Sequence, residues 1–199
     1  GAASTIDQVT IDGNVVHTFD TPGLHHPFDD LPDGSIAYGA AQSSGDEKLE
    51  IVHLDDTTET VWDCGDWRES IDGSRACDSN TLRYDAASNK FLFSFYNFES
   101  IVEIDRDTAS IERWWGHAAG AYAFDPSDSA FWWQHGGNIT SAGTLLTSTN
   151  LTSGGEATVV REYEIDDATQ TLHEIWRYGD DAGIYGGIMG EATRLPNGN

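Results

Sequence analysis

A short motif recurs four times along this 199-residue chain and limits the fold more than any other feature. In each copy an apolar run ends in Asp, an aromatic residue follows seven to ten residues later, and Gly comes close behind. The four residues are Asp12, Asp55, Asp105 and Asp166, roughly 40 to 60 residues apart. Tandem units of this length predict a repeat architecture.

The runs inside each unit are typical of β-strands. Apolar and polar residues alternate with period two, and β-branched and aromatic residues dominate. Further pairs of runs lie between the copies, joined by turn residues such as Pro32-Asp33-Gly34 and Ala142-Gly143. Two hairpins per unit give about four antiparallel strands, which is the blade of a propeller. No window sustains an apolar stripe at helical spacing, so we predict an all-β propeller, as a single domain over residues 1–199.

The sequence predicts about three complete blades and two partial ones. The last copy runs from Glu191–Leu195 into the turn residues Pro196-Asn197-Gly198, with no return strand after them. A propeller closes on itself to avoid exposed sheet edges. We therefore expect the 199 residues to be a fragment of a longer chain. The alternative is an open stack of sheets.

The charge of the chain excludes one class of partner. There are 34 acidic and 10 basic residues, a net charge of −24. Phosphate backbones are bound by clustered Lys and Arg, so nucleic acid is not expected as a partner, and anionic membranes are disfavoured. No apolar run is long enough to span a membrane. The acidic excess is interpreted as a solvated surface, with calcium in the Asp-rich turns as the alternative.

Cys64 and Cys77 enclose a loop rich in Gly, Ser and charge. Such a pair is easily joined, so we predict a disulfide and an exported protein, whether periplasmic, cell-surface or extracellular. Two reduced thiols are the alternative. Neither Cys lies in a CxxC pair, which argues against a metal site. Asn138 and Asn150 begin weak matches to the glycosylation acceptor pattern.

Three elements follow one another in an order that is specific as a set. The first element runs from His25-His26 to Pro32-Asp33-Gly34. The second runs from Ser79-Asn80 through Ile104-Asp105-Arg106 to Trp114-Trp115-Gly116. The third runs from Gln134-His135 through Gly143–Leu146 to Glu162–Asp166. This order resembles the arylsulfate sulfotransferase (ASST) family of six-bladed propellers. The resemblance extends from about Val9 to Asn199.

The resemblance implies a function and a set of site residues. In the family, a histidine at the propeller axis takes a sulfuryl group from an aryl sulfate and passes it to a phenol. His135 matches that nucleophile, and His26, with His25 as the alternative, is the expected second imidazole. Asn80 is a candidate substrate contact, and Tyr96, Trp132 and Trp133 are candidate walls for a flat aromatic ring. The expected ligand is thus a small aromatic sulfate or phenol, with no cofactor.

Two positions depart from the family pattern. Asp78 stands where the family typically has His, and Phe95 stands where it typically has Arg. A carboxylate opposes an anionic sulfuryl group. Arg75, Arg83 and Arg113 are candidate replacements for the missing charge. The alternative function is therefore a degenerate propeller that serves as an extracellular binding or structural module.

Structural roles compete with the functional ones for several residues. His135 is also consistent with a hydrogen-bonded histidine at a strand end. A metal site built from His25, His26 and His135 lacks a tight ligand motif, so no metal is predicted. Trp62, Trp114 and Trp176 are expected to pack between blades.

Overall fold

The computed structural model describes residues 4–71, 75–152, 154–187, 189–195 and 198, and within them nearly all of the regular secondary structure is β-strand. An N-terminal hairpin pairs β1 (Thr5–Val9) with β2 (Val15–Asp20). The first blade contains β3 (Leu24–Asp30), β4 (Ile36–Ala41), β5 (Glu47–Val52) and β6 (Thr58–Asp63). After the helix α1 (Cys64–Ile71), the second blade contains β7 (Ser79–Asp85), β8 (Lys90–Phe95), β9 (Ser100–Asp105) and β10 (Ile111–Gly116).

The third blade is built in the same way, with one additional strand. The short strand β11 (Ala123–Asp125) and a 3-10 turn (Ser127–Ser129) precede it. Its antiparallel strands are β12 (Trp132–Ile139), β13 (Leu145–Thr152), β14 (Gly155–Asp166) and β15 (Thr171–Tyr178). β11 joins the outer edge of β15 in parallel, with Phe124 opposite Leu172.

The predicted propeller class is confirmed. Apart from β11, every strand of a blade pairs with the next along the chain, so each blade contains a four-stranded antiparallel meander. Three apolar clusters each join two successive sheets. Phe19 and Tyr38 connect the hairpin to the first blade, Trp62 and Phe93 connect the first blade to the second, and Ile101 and Tyr163 connect the second to the third.

The recurring Asp is a turn-forming residue. Asp105 ends β9, and its carboxylate accepts hydrogen bonds from the backbone N–H groups of Thr108 and Asp107 at 2.9 and 3.0 Å. Asp166 ends β14 and accepts from the backbone and hydroxyl of Thr169. Bonds from Thr108 and Thr169 are the largest causes that lower the pKa of the two carboxyls. The repeat therefore marks the turn before the last strand of each blade.

The helix α1 is absent from the sequence prediction, which expected no helical segment. Its side chain Trp67 is buried and packs against Phe95 and Trp62, with ring centroids 5.9 and 6.3 Å apart. The predicted disulfide between Cys64 and Cys77 is present and ties the start of the helix to the segment before β7. An eight-residue helix is too short to show a sustained stripe, and tertiary contacts of this kind are what stabilise it. Across the described residues, no helix has the length and apolar character needed to cross a membrane.

The segment after β15 returns to the inner side of the third blade. In its described residues no strand forms, and the carbonyl of Ala192 accepts a hydrogen bond from the Asn138 amide of β12 at 2.8 Å.

Trp62 and Trp114 pack against Trp67 as expected for inter-blade residues. Trp176 instead is 39% exposed and lies 4.3 Å from the guanidinium carbon of Arg194. The outer face of β15 is thus covered only in part.

Candidate functional site

The first strand of each blade contributes to one shared region. β3 lies beside β7, and β7 lies beside β12. The Asp29 carboxylate on β3 accepts a hydrogen bond from the Tyr84 backbone N–H on β7 at 2.7 Å. The Asn80 amide on β7 donates to the Gln134 carbonyl on β12 at 2.6 Å. These three inner strands therefore bring together residues that are far apart in the sequence.

His26 and His135 face each other across this region. Their ring centroids are 6.0 Å apart, and their planes are inclined at 67°. His26 is exposed, whereas His135 is half-buried. Both ring nitrogens of His135 are buried, and neither makes a hydrogen bond of normal geometry to the residues that the structure describes. No carboxylate of the described residues holds this imidazole by a hydrogen bond, and its contact with the backbone of Gly190 falls outside normal hydrogen-bond geometry.

The surroundings of His135 favour its neutral form. Burial has the largest effect and lowers the pKa of the imidazole, and a positive charge on His26 lowers it further. The carboxylate of Glu191 and the backbone of Gly190 act in the opposite direction but are outweighed. At neutral pH the ring therefore carries a free lone pair, which is the state that a nucleophile needs.

The backbone of β12 is irregular around His135. Trp133 has a φ of +50° and Gly136 a φ of +75°, and the pairing with β13 shifts register between His135 and Gly137. A positive φ is strained for a bulky residue such as Trp133. At Gly136 a Cβ atom would lie 2.7 Å from Cγ of Glu191, so glycine is required by space as well as by conformation. Strain and a bulge of this kind are frequent next to functional side chains.

Gln134 holds the strand in this conformation. Its side chain is fully buried, and its amide nitrogen donates to the Ser94 hydroxyl and the Phe95 carbonyl, each at 3.1 Å. The backbone carbonyl of Gln134 accepts a hydrogen bond from the side-chain amide of Asn80. Asn80 is thus placed beside His135 as predicted, but with its amide already engaged in holding β12.

His25 lies in a different environment from its neighbour. Its Nδ1 is 2.9 Å from Oε1 of Glu47 and 3.9 Å from Oδ1 of Asp78. Glu47 is buried and also accepts hydrogen bonds from the backbone N–H and the hydroxyl of Ser79. Of the two candidates for the second imidazole, His26 is therefore the one next to His135.

Phe95, one of the two departures from the family pattern, belongs to the core. Its ring is fully buried and lies 6.0 Å from Trp62 and 5.9 Å from Trp67. The other departure, Asp78, lies beside His25. Neither residue supplies positive charge near His135.

Among the candidate arginines, Arg83 is the one on an inner strand. Its Nε donates to Oε1 of Glu191 at 2.9 Å, and its Nη1 is 3.4 Å from Oδ1 of Asp29. Arg113 pairs with Glu103 and Asp167 on the outer side of the second blade. Arg75 donates to the Asn97 carbonyl. Only Arg83 is linked, through Glu191, to the surroundings of His135.

The predicted aromatic wall is dispersed. The ring of Trp132 stacks on His117, with centroids 4.8 Å apart and planes inclined at 18°. Tyr96 lies in the exposed turn after β8, and Trp133 is half-buried on β12.

Sequence reasoning missed two carboxylates, Glu47 and Glu191. No sequence signal connects them to the histidines, because blade packing and the returning C-terminal segment bring them into place.

Comparison with known proteins gives one family and several similar folds. The sequence profile of the arylsulfotransferase (ASST) family matches residues 2–199. A putative 6-phosphogluconolactonase from Bacteroides uniformis has a TM-score of 0.53 at 13% identity, over 98% of this chain and 55% of that chain. A catalytically inactive virginiamycin B lyase from Staphylococcus aureus with quinupristin has a TM-score of 0.47 at 12% identity, over 83% of this chain and 50% of that one. A streptogramin B lyase has a TM-score of 0.46 at 14% identity, over 83% and 49%.

The likeness to these solved structures concerns the fold alone. The chain spans about half of their length. No curated protein matches the chain.

Proposed function

Because the chain belongs to the arylsulfotransferase family, we propose that the protein transfers a sulfuryl group from an aryl sulfate to a phenol through a covalent intermediate on His135. The observation that carries the proposal is the pair of imidazoles with ring centroids 6.0 Å apart. In that pair neither ring nitrogen of His135 makes a hydrogen bond of normal geometry to the described residues. An imidazole in this state can attack an electrophile at neutral pH.

In the first half of the reaction, the lone pair of one His135 ring nitrogen forms a bond to sulfur. The bond between sulfur and the aryl oxygen breaks, and its electron pair leaves with that oxygen. A protonated His26 gives its proton to the phenolate, which departs as the neutral phenol. A proton donor at this point lowers the barrier for a poor leaving group.

In the second half, the acceptor phenol takes the place of the departed one. Neutral His26 accepts the proton of its hydroxyl, and the phenol oxygen forms a bond to sulfur. The bond between sulfur and the His135 nitrogen breaks, and the electron pair returns to the ring. Both histidines are then in their starting protonation states, so the cycle consumes no further reactant.

Arg83 is the candidate cation for the sulfuryl oxygens. Asp29 and Glu191 share its guanidinium in the structure. An incoming sulfate ester would replace Glu191 on the guanidinium, because both are anions with oxygen acceptors suited to a planar fork of N–H donors. The disulfide between Cys64 and Cys77 supports the further proposal that the protein acts outside the cytoplasm.

The test is to trap the intermediate in the intact protein. The protein is incubated with an aryl sulfate in phosphate-free buffer, quenched, and examined by intact mass and peptide mapping, with phenol sulfation measured in parallel. We expect a sulfated peptide that contains His135, and its loss in His135→Asn but not in His173→Gln, which removes an exposed histidine paired with Asp125. Absence of both transfer and sulfated histidine would contradict the proposal.

A specific observation supports a second function, ligand binding without chemistry. The guanidinium of Arg83 is already neutralised by two carboxylates, and the side chain at position 95 is an aromatic ring in the core. A propeller of this kind would bind an aromatic sulfate or phenol and release it unchanged. Saturable binding measured by calorimetry, without turnover or sulfated histidine, would favour this second function.

A further inference from the structure

A second polar cluster lies next to the histidine pair and is distinct from it. It consists of His25 on β3, Glu47 on β5 and Asp78 just before β7. One ligand atom from each residue, Nδ1 of the imidazole and one oxygen of each carboxylate, lies within 4.8 Å of the other two. Nδ1 of His25 is 2.9 Å from Glu47 and 3.9 Å from Asp78. Ligands of one metal ion are separated by distances of this order, since each lies about 2.0–2.2 Å from the ion.

The charge of this cluster is not balanced. Glu47 is 2% exposed, and its partners are His25 and Ser79. Among the ion pairs of the described residues, none joins Glu47 or Asp78 to Lys or Arg. One imidazole, even when protonated, neutralises only one of the two carboxylates. A buried carboxylate without a full counter-charge is costly, and a divalent cation would remove that cost.

A cavity of about 260 Å³ lies against the cluster. His25, Glu47 and Asp78 all line it, together with Asp46. The Asp46 side chain is 9% exposed, and its Oδ2 pairs with Arg68 at 3.2 Å. Its Oδ1 is buried and has no hydrogen-bond partner among the described residues. Asp46 therefore adds a further, largely buried carboxylate to the residues that line the same cavity.

We propose that His25, Glu47 and Asp78 form a binding site for a divalent transition-metal ion, with Zn²⁺ as the best fit. One imidazole nitrogen and two carboxylate oxygens are zinc ligands, whereas Ca²⁺ and Mg²⁺ prefer oxygen alone. Two carboxylates and a neutral imidazole balance the charge of the ion. Three protein ligands leave the fourth position of a tetrahedral zinc site to water.

Contacts behind the ligands orient the buried one. The backbone N–H and the hydroxyl of Ser79 both donate to Glu47. Gly39 packs so closely that a Cβ atom there would lie 3.2 Å from Oε2 of Glu47. Hydrogen bonds and packing around a ligating carboxylate fix its direction and raise metal affinity. This site goes beyond the proposed function and does not depend on it, because the nucleophile His135 is not one of its ligands.

The test measures metal binding directly. The intact protein, without an affinity tag and treated with a chelator, is titrated with ZnCl₂ by calorimetry in buffers of different ionisation enthalpy. We expect one saturable site per chain, with release of protons as the ion displaces them from the ligands. Asp78→Asn and His25→Gln should each weaken binding by about tenfold or more. His173→Gln is the matched control, since His173 is 39% exposed and paired with a carboxylate, and His25 is 43% exposed.

Two results would overturn the proposal. One is the absence of saturable binding by the wild-type protein. The other is unchanged affinity in Asp78→Asn, whose position is 45% exposed and whose substitution therefore leaves the core intact. Circular dichroism of each variant shows whether it has folded. If His25→Gln does not fold, the zinc affinity of Asp78→Asn alone tests the proposed site. Neither readout depends on sulfuryl transfer, so failure of this site leaves the proposed function standing.

Discussion

His25 and His26 are neighbours in the sequence but belong to two different regions of the molecule. Successive side chains of a strand point in opposite directions, and the pairing of β3 with β4 is irregular between Leu24 and Phe28. One ring therefore meets the buried carboxylate of Glu47, and the other meets the imidazole of His135. The same residue type, in one dipeptide, is given two chemical roles by what lies on either side of the strand.

The difference lies in what holds each imidazole. The carboxylate of Glu47 orients the His25 ring through its contact with Nδ1. With a cation in place, the two side chains would act as ligands of that ion. His135 has no such partner among the described residues, and its burial favours the neutral form. An anchored ring suits a structural or metal site, whereas an unanchored neutral ring suits a nucleophile. The predictions that follow test this contrast.

The largest effect is expected at the nucleophile. Replacement of His135 by Asn removes the group that forms the covalent intermediate, so kcat/KM for sulfuryl transfer should fall by about three orders of magnitude or more. The measurement is the initial rate with an aryl sulfate donor and a phenol acceptor. His173→Gln, made on the outer strand β15, should keep wild-type rates. Comparable activity in the two variants would remove His135 from the mechanism.

A smaller loss is expected at the proton donor. His26→Gln keeps a polar side chain but has no titratable proton, so the rate should fall by roughly two to three orders of magnitude with a phenyl sulfate donor. A donor with a more acidic phenol, such as nitrophenyl sulfate, needs less help from an acid and should lose less. An equal loss with both donors would show that His26 positions the substrate and does not transfer a proton.

The two carboxylates beside the two histidines should differ in their effect on stability. Glu47 is buried and accepts hydrogen bonds from Ser79 as well as contacting His25. Glu47→Gln places amide hydrogens against those donors and should lower the free energy of unfolding by about 1–3 kcal/mol. Glu191 is partly exposed, and Glu191→Gln should change the free energy of unfolding by less than about 0.5 kcal/mol. Urea unfolding at neutral pH in the presence of a chelator measures both.

The fold could be predicted from local patterns because a blade is a local structure. Each recurring Asp forms the turn before a last strand, and alternation with period two defines the strands around it. Helix α1 could not be predicted in this way, since its stability comes from the contacts of Trp67 and from the disulfide of Cys64. Tertiary contacts of that kind leave no periodic signal in eight residues.

The candidate site could be predicted in part, for a related reason. His26 and His135 each lie on the first strand of a blade, and these strands meet wherever blades pack side by side. Their partners could not be predicted. Glu47 lies on the third strand of its blade, and Glu191 lies in the segment that returns to β12. Packing between distant segments determines both positions.

The smallest effect concerns the pH dependence of transfer. The carboxylate of Glu191 raises the pKa of His135, against the larger lowering by burial and by His26. Glu191→Gln removes that negative charge, and Arg83, which keeps Asp29 as a partner, becomes less neutralised. Both changes disfavour protonated His135, so its pKa should fall further. Because only the neutral ring attacks sulfur, the acid limb of the rate profile should move to lower pH, by up to about one unit.

The matched control for this shift is Asp180→Asn. Asp180 is 32% exposed and pairs with Arg177 at 2.7 Å, and Glu191 is 33% exposed and pairs with Arg83. The two substitutions therefore remove similar charges, but only Glu191 lies beside His135. The rate profile of Asp180→Asn should coincide with that of the wild type. Two results would contradict this prediction: a shift of the acid limb to higher pH in Glu191→Gln, or an equal shift in both variants. Either result would mean that a group other than His135 controls the acid limb. The absence of an anchoring partner on His135 would then have no bearing on the reaction.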